Sequence, residues 1–211
     1  MSTEEILDVL VKRYPALKIC KDQIREAGKI IIESYKNSGQ LLTCGNGGSC
    51  SDSDHIVGEL MKSFSKKRPL DNDFKEQLSS VDQELGTLLG GKLEKGLAAI
   101  SLNAHNALIS AVANDIGGDF VFAQQVVGYD RKGDVLLGIS TSGNSKNVVN
   151  ACITARAKGV KVIALVGEKG GRMKDFADVA ICVPSGCTPD VQEFHLPIYH
   201  ALCIIAEETF F

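Results

Sequence analysis

The chain of 211 residues contains no Cys-x-x-Cys pair, no apolar run of membrane-spanning length, no basic block longer than Lys66-Lys67-Arg68 and no repeat or low-complexity tract. Each gap removes a class of function. Seven cysteines (Cys20, Cys44, Cys50, Cys152, Cys182, Cys187 and Cys203) are scattered singly, mostly within apolar patterns. That distribution predicts reduced thiols of a cytoplasmic protein, not disulfides or a thiolate metal site. A net charge of −3 without a basic face leaves no footprint for nucleic acid. The polar, acidic start Met1-Ser2-Thr3-Glu4-Glu5 does not read as a signal peptide, and no segment reads as a membrane span. The glycine-rich stretch Gly45-Asn46-Gly47-Gly48-Ser49 misses the dinucleotide fingerprint, because Cys50 stands at its third glycine. A Gly-Lys-Ser/Thr is missing too, so no nucleotide cofactor is expected.

What is present is a series of short apolar runs, each followed by a helical pattern. The runs are Leu41–Cys44, Ala98–Leu102, Val135–Ile139, Val160–Val166 and Val179–Val183. Five strands alternating with helices predict an α/β fold, a doubly wound parallel sheet with helices on both faces. The length suits a single domain over residues 1–211. Two amphipathic helices, parted at Pro15, precede the first strand as an N-terminal extension over about residues 1–37. Ser2 and Glu5 read as a capping box at the start of the first helix. Their apolar faces need a partner, either this sheet or another subunit. From Lys66 to Leu97 the character turns polar, with a possible helix through Leu85, Leu88 and Leu89. That stretch reads as an insertion.

The most informative turn follows the third run: Ser140-Thr141-Ser142-Gly143-Asn144-Ser145. In a parallel sheet it lies at the carboxyl end of the strand, where ligands bind. Four hydroxyls in six positions, beside the free N–H groups of the next helix, suit a phosphate monoester. One serine would be enough for a helix cap. The first strand runs into a second such turn, whose glycines allow close backbone approach and whose Asn46 and Ser49 are polar handles. One turn into the helix that follows, His55 and Glu59 share a face at i, i+4 spacing. They read either as a solvent-facing pair or as a carboxylate and an imidazole reaching into a pocket. The last helix opens at Thr188-Pro189, read as an N-cap followed by proline, and places Gln192 and His200 two turns apart on about one face. Pro197 between them is expected to kink it.

Cys44-Gly-Asn-Gly-Gly-Ser49, His55-x-x-x-Glu59, Asn114-Asp115, Gly138-Ile-Ser-Thr-Ser-Gly-Asn-Ser145, and Gln192-Glu193 with His200 together resemble the phosphoheptose isomerases of the sugar isomerase (SIS) domain superfamily. The hydroxyl turn marks only the superfamily, whereas the two acid–base helices are more specific. The resemblance implies conversion of sedoheptulose 7-phosphate to a glycero-manno-heptose 7-phosphate, toward bacterial surface polysaccharide. It implies that Ser140, Thr141, Ser142 and Ser145 hold the phosphate. Asn46, Gly47, Gly48, Ser49, Asn114, Asp115 and Gln192 would contact the substrate, and Glu59 and His200 would be the acid and base. It also implies a zinc ion on His55, Glu59, Gln192 and His200 in some members, and a homotetramer with active sites between subunits. Asn103-Ala104-His105 stand where many relatives carry a hydroxyl and an acidic residue. Other readings are an isomerase for a different phosphosugar, or a non-catalytic SIS protein that senses a phosphosugar or binds the replication initiator. A transcriptional regulator fits less well, since no helix-turn-helix module precedes the sheet.

Overall fold

A computed structural model describes residues 1–211. Five strands form one sheet: β1 (Leu41–Gly45), β2 (Ala99–Ser101), β3 (Val135–Ser140), β4 (Lys161–Val166) and β5 (Val179–Cys182). Their order is β2-β1-β3-β4-β5, and every pairing is parallel. Successive side chains of a strand point to opposite faces. Val135, Leu137 and Ile139 of β3 accordingly join one apolar core, while Leu136 joins the other. Both faces are covered, so β3 is buried along its whole length and reads as a continuous apolar run.

One face carries helices α1 (Thr3–Arg13), α2 (Lys21–Lys36), α3 (Gly48–Met61) and α9 (Thr188–Phe210). The opposite face carries α6 (Asn106–Asp115), α7 (Val121–Tyr129) and α8 (Lys146–Ala157). The expected doubly wound sheet is therefore present. The capping box forms as read, with the Ser2 hydroxyl accepting from the Glu5 N–H and the Glu5 carboxylate accepting from the Ser2 N–H. Pro15 opens a 3-10 turn between α1 and α2. The apolar stripes of both helices enter the core on this chain's own sheet and α9.

Two local expectations need correction. Thr188 does not cap α9. It is already helical, with Cys187 at the N-cap, and the Ser185 hydroxyl accepts from the Cys187 N–H. Pro197 lies buried inside the same helix. The polar stretch after Lys66 holds a helical hairpin, α4 (Asn72–Val81) and α5 (Gln83–Lys92). Gly90 and Gly91 lie inside α5 instead of ending it. A Cβ on Gly86 would fall 2.0 Å from the Leu78 carbonyl oxygen, so glycine is what lets α5 approach α4 so closely.

Strand order fixes where a ligand can sit. The chain leaves β1 for β2 on one side and returns to β3 on the other, so the turns after β1 and β3 diverge from adjacent strand ends, with Gly45 beside Ile139. A crevice at such a reversal is the ligand position in open α/β sheets.

Candidate active site

The two turns at the crevice are tied together. The side-chain amides of Asn46, after β1, and Asn147, in the first turn of α8, donate to each other at 2.8 and 2.9 Å. Within the second turn the Ser140 and Ser145 hydroxyls lie 3.0 Å apart, and the Ser142 hydroxyl accepts from the Asn144 N–H. Gly143, at φ +67°, has a Cβ position 2.0 Å from the Gly170 carbonyl oxygen, so the loop after β4 packs directly on the turn. No side-chain hydrogen bond from the N-cap Ser145 occupies the α8 N-terminus. The exposed Ser142 and half-buried Thr141 and Ser145 therefore stand beside the positive end of α8, where Asn147 Oδ1 accepts the Val148 N–H and the earlier N–H groups suit an anionic ligand.

On the β1 side, Gly47 takes φ +58°, and a Cβ on Gly48 would lie 2.4 Å from the Gln192 side-chain nitrogen. The first turn of α9 is thereby brought over the β1 turn. Ser49, expected as a polar handle, is buried beneath Gly45, and its carbonyl oxygen accepts from the Ser53 hydroxyl. Asn103 clamps Gly45 from β2: its amide donates to the Gly45 carbonyl and accepts from the Gly45 N–H. His105 caps α6, accepting the Leu108 N–H. Asn114 and Asp115 sit at the far end of α6, exposed and hydrogen-bonded to each other at 2.7 Å, with no hydrogen bond to either turn.

Helices α3 and α9 run side by side in register, Gly48 against Gln192 and His55 against Tyr199. Residues 144 apart in sequence therefore meet. His55 Nε2 lies 3.0 Å from Glu59 Oε1, and the His55 and His200 rings meet edge to face with centroids 5.1 Å apart. Glu59 is largely sheltered, its side chain 15% exposed against 42% for His55. The His200 imidazole is half-buried, with Nε2 lacking any partner. Burial lowers its basicity, the nearby His55 adds to this, and the Glu59 charge opposes it. Of the expected set, the structure thus gathers His55, Glu59 and His200 in one cluster and Asn46, Gly47, Gly48, Gln192 and Ser140–Ser145 in the adjoining crevice. Asn114 and Asp115 bond to each other, while Asp119, four residues on, reaches the first turns of α8 through Lys146 and Asn150. Asp52, Asn147 and Tyr199 join these clusters without having been singled out in the sequence, and Asn103 joins them having stood out only as a departure from many relatives. Only Asp52 had a discernible signal, lying at i−3 and i−7 from His55 and Glu59 on the same helix face.

Two imidazoles and a carboxylate are suitable donors for zinc, and a 3.0 Å separation is close to the roughly 3.3 Å between two ligands of one tetrahedral ion. The unpartnered His200 nitrogen fits the same chemistry. The side chains as they stand do not close around an ion, since no three His, Cys, Asp or Glu donors converge. Gln192 meanwhile rests on Gly48, two helical turns from the cluster.

A SIS domain family profile matches residues 15–95 and 87–167. The phosphoheptose isomerase of Nitratiruptor sp. is 42% identical over 187 residues, 89% of this chain and 86% of that protein. That of Helicobacter pylori strain P12 is 38% identical over 195 residues, 92% of this chain and 88% of its own. The solved phosphoheptose isomerase GmhA of Neisseria gonorrhoeae superposes with a TM-score of 0.74 at 32% identity, covering 93% of this chain and 91% of that one. The chain belongs to the SIS domain family and, within it, to the phosphoheptose isomerases.

Proposed function

We propose that the protein interconverts sedoheptulose 7-phosphate and D-glycero-D-manno-heptose 7-phosphate through an enediol. The observation that carries this reading is the convergence of Glu59 and His200, from helices far apart in the chain, on the His55 ring. That ring stands on the helix that follows the β1 turn, which Asn46 ties to the hydroxyl-rich turn after β3. Aldose–ketose isomerisation moves a proton between adjacent carbons, which takes a base at the carbon and an acid at the oxygens. Glu59, sheltered and held at His55, takes the proton from C1 of the ketose and returns it to C2. His200, whose lowered basicity keeps it neutral, shuttles the proton between O1 and O2. The Ser140–Ser145 turn grips the phosphate and so fixes which carbons face the pair. Residues Asn46, Gly47, Gly48, Ser49 and Gln192, from the neighbouring turn and α9, support the sugar chain.

The test is incubation with sedoheptulose 7-phosphate and detection of the aldose, beside a panel of pentose and hexose phosphates. Turnover of another phosphosugar alone would move the reading to that substrate, and binding without turnover would reduce it to a sensor. Ser142→Ala removes an exposed hydroxyl whose one intramolecular partner is the Asn144 N–H. A hydrogen bond to a charged oxygen is worth about 1.5–3 kcal/mol, so KM rises at least about tenfold while kcat stays within twofold.

Zinc and self-association belong to the same proposal. His55, Glu59 and His200, with Gln192, would hold a zinc ion, which when bound would supply positive charge to the enediolate oxygens. Association into a homotetramer with sites between subunits is supported by two uncovered apolar surfaces. One is a groove of about 160 Å³ between α1 and α9, lined by Ile6, Val9, Leu10 and Ile204, that reaches His200. The other is the α4–α5 hairpin, where Val81, Leu85 and Leu88 are 88%, 57% and 55% exposed. Native mass spectrometry on protein purified without chelator reads both points, with four chains and one zinc per chain expected. A metal-free monomer that still turns over substrate would remove both. The seven free thiols support a cytoplasmic location.

A further inference from the structure

We propose that Tyr199, held by Asp52, is a positioning residue that fixes the His55 imidazole in its Nδ1-protonated form and so aims a lone pair at Glu59. The proposal rests on the isomerase reading of the His55–Glu59–His200 cluster but adds two residues to which that reading gives no role.

Tyr199 is wholly buried, and its hydroxyl lies between two groups. Asp52 Oδ1 is 3.2 Å away and His55 Nδ1 is 3.0 Å away. A phenol has one proton to give and a carboxylate can only accept, so the Tyr199 hydroxyl donates to Asp52. Its oxygen is then an acceptor toward His55, and Nδ1 must carry the hydrogen. The ring is also fixed in orientation. Tyr199 meets His55 edge to face at 5.5 Å and His200 at 5.0 Å, so one buried phenol wedges both imidazoles.

The consequence lies at the other nitrogen. With Nδ1 protonated, neutral His55 presents a lone pair from Nε2, 3.0 Å from Glu59 Oε1. Two acceptors at that distance repel unless a positive centre lies between them, either a proton in transit or a metal cation. The Asp52–Tyr199–His55 chain therefore makes the Glu59 side of His55 a place that attracts such a centre. Outer hydrogen bonds that set a histidine tautomer typically change metal affinity or activity by roughly 10–100-fold when removed. Asp52, His55 and Glu59 follow at i, i+3 and i+7 on α3, so a single helix face carries the orienter's anchor, the oriented ring and the carboxylate.

The test is long-range ¹H–¹⁵N correlation on ¹⁵N-histidine-labelled protein at pH 8.5, with the His55 signal assigned by its loss in His55→Gln. The expected wild-type pattern is a His55 ring protonated on Nδ1, which zinc bound at Nε2 would leave unchanged. Tyr199→Phe removes the acceptor, and the Nε2-protonated form should rise to at least half. Asp52→Ala frees the phenol to donate to Nδ1 and should give the same shift. Asp52→Asn retains an acceptor and should restore the wild-type pattern. In the same variants kcat falls about tenfold with KM within twofold for Tyr199→Phe and Asp52→Ala, and recovers in Asp52→Asn. A wild-type ring protonated on Nε2, or a Tyr199→Phe spectrum identical to wild type, overturns the assignment. Expected spectra from a protein that does not turn over sedoheptulose 7-phosphate would support the role of Tyr199 and overturn the isomerase reading instead.

Discussion

Replacing Glu59 by glutamine lowers kcat for sedoheptulose 7-phosphate by about 10²–10⁴-fold, the contribution of a positioned general base, and leaves KM nearly unchanged. The substitution is close to isosteric, so it removes the ability to take a carbon-bound proton without opening a cavity. Folding should survive it. Within the chain the Glu59 carboxylate meets only His55, and the α3 terminus is held through the Glu59 backbone carbonyl, which the substitution keeps. A melting temperature within a few degrees of wild type, measured beside the assay, separates lost chemistry from lost structure. The Ser140–Ser145 turn proposed to hold the phosphate is a separate element after β3, so a substrate gripped there is expected to bind Glu59→Gln as well as the parent. Wild-type turnover in Glu59→Gln would remove the carboxylate from the mechanism, whatever His200 does.

The sheet and the two turns at its carboxyl edge were legible because they depend on local signals. Val135 to Ile139 is apolar without alternation because both faces are covered, and the four hydroxyls beyond it have no core to enter. The helix boundaries were less legible. Helix α3 begins at Gly48, inside the glycine-rich turn itself and not after it, because a glycine turn can enter a helix directly. Helix α4 carries an apolar stripe, Phe74, Leu78 and Val81 at i, i+4 and i+7, but the polar residues around it masked the pattern, and none of its residues is buried. The acid–base pair could be suspected from His55, Glu59 and His200 but not paired, since the register of α3 on α9 is set by Gln192 against Gly48. Tyr199 looked like one more apolar residue of a buried helix. Nothing in the sequence sets Arg68 apart from Lys66 and Lys67, with which it forms a run of three basic residues. It is wholly buried, because its partner is 139 residues further along the chain.

That partner is Glu207, and breaking the pair is expected to cost about 3–5 kcal/mol, the range for one ion left uncompensated in an interior. Both side chains are 0% exposed, with Arg68 Nε donating to Glu207 Oε1 at 2.8 Å. Glu207 also accepts from the peptide N–H groups of Phe64, Ser65 and Lys66 and from the Ser65 hydroxyl. Burial alone would push its carboxyl up, but these donors, with Arg68, outweigh burial and hold it at about 2. A carboxyl held below its unfolded value of 4.5 stabilises the fold fully above that pH. The contribution is lost as the pH falls from about 4.5 toward about 2, so acid unfolding should be steep in that window for the parent and shallower in Glu207→Gln. The two partners should not be equivalent. Arg68→Met leaves Glu207 its four other donors, whereas Glu207→Leu leaves a buried guanidinium with no counter-charge and its Nε without an acceptor, along with three peptide N–H groups. The expected order of melting temperatures is therefore parent, then Arg68→Met about 6–20 °C lower, then Glu207→Leu lower still. Arg68 also reaches the site. Its Nη1 and Nη2 donate to the carbonyls of Leu60 and Glu59 at 2.7 and 3.0 Å, closing the last turn of α3. Assayed well below its melting point, Arg68→Met should thus lose roughly ten- to a hundredfold in kcat, as displacement of a catalytic group by an ångström does. A variant that melts within a degree of the parent would show the ion pair to be dispensable, and full activity in a folded Arg68→Met would show that α3 holds Glu59 without it.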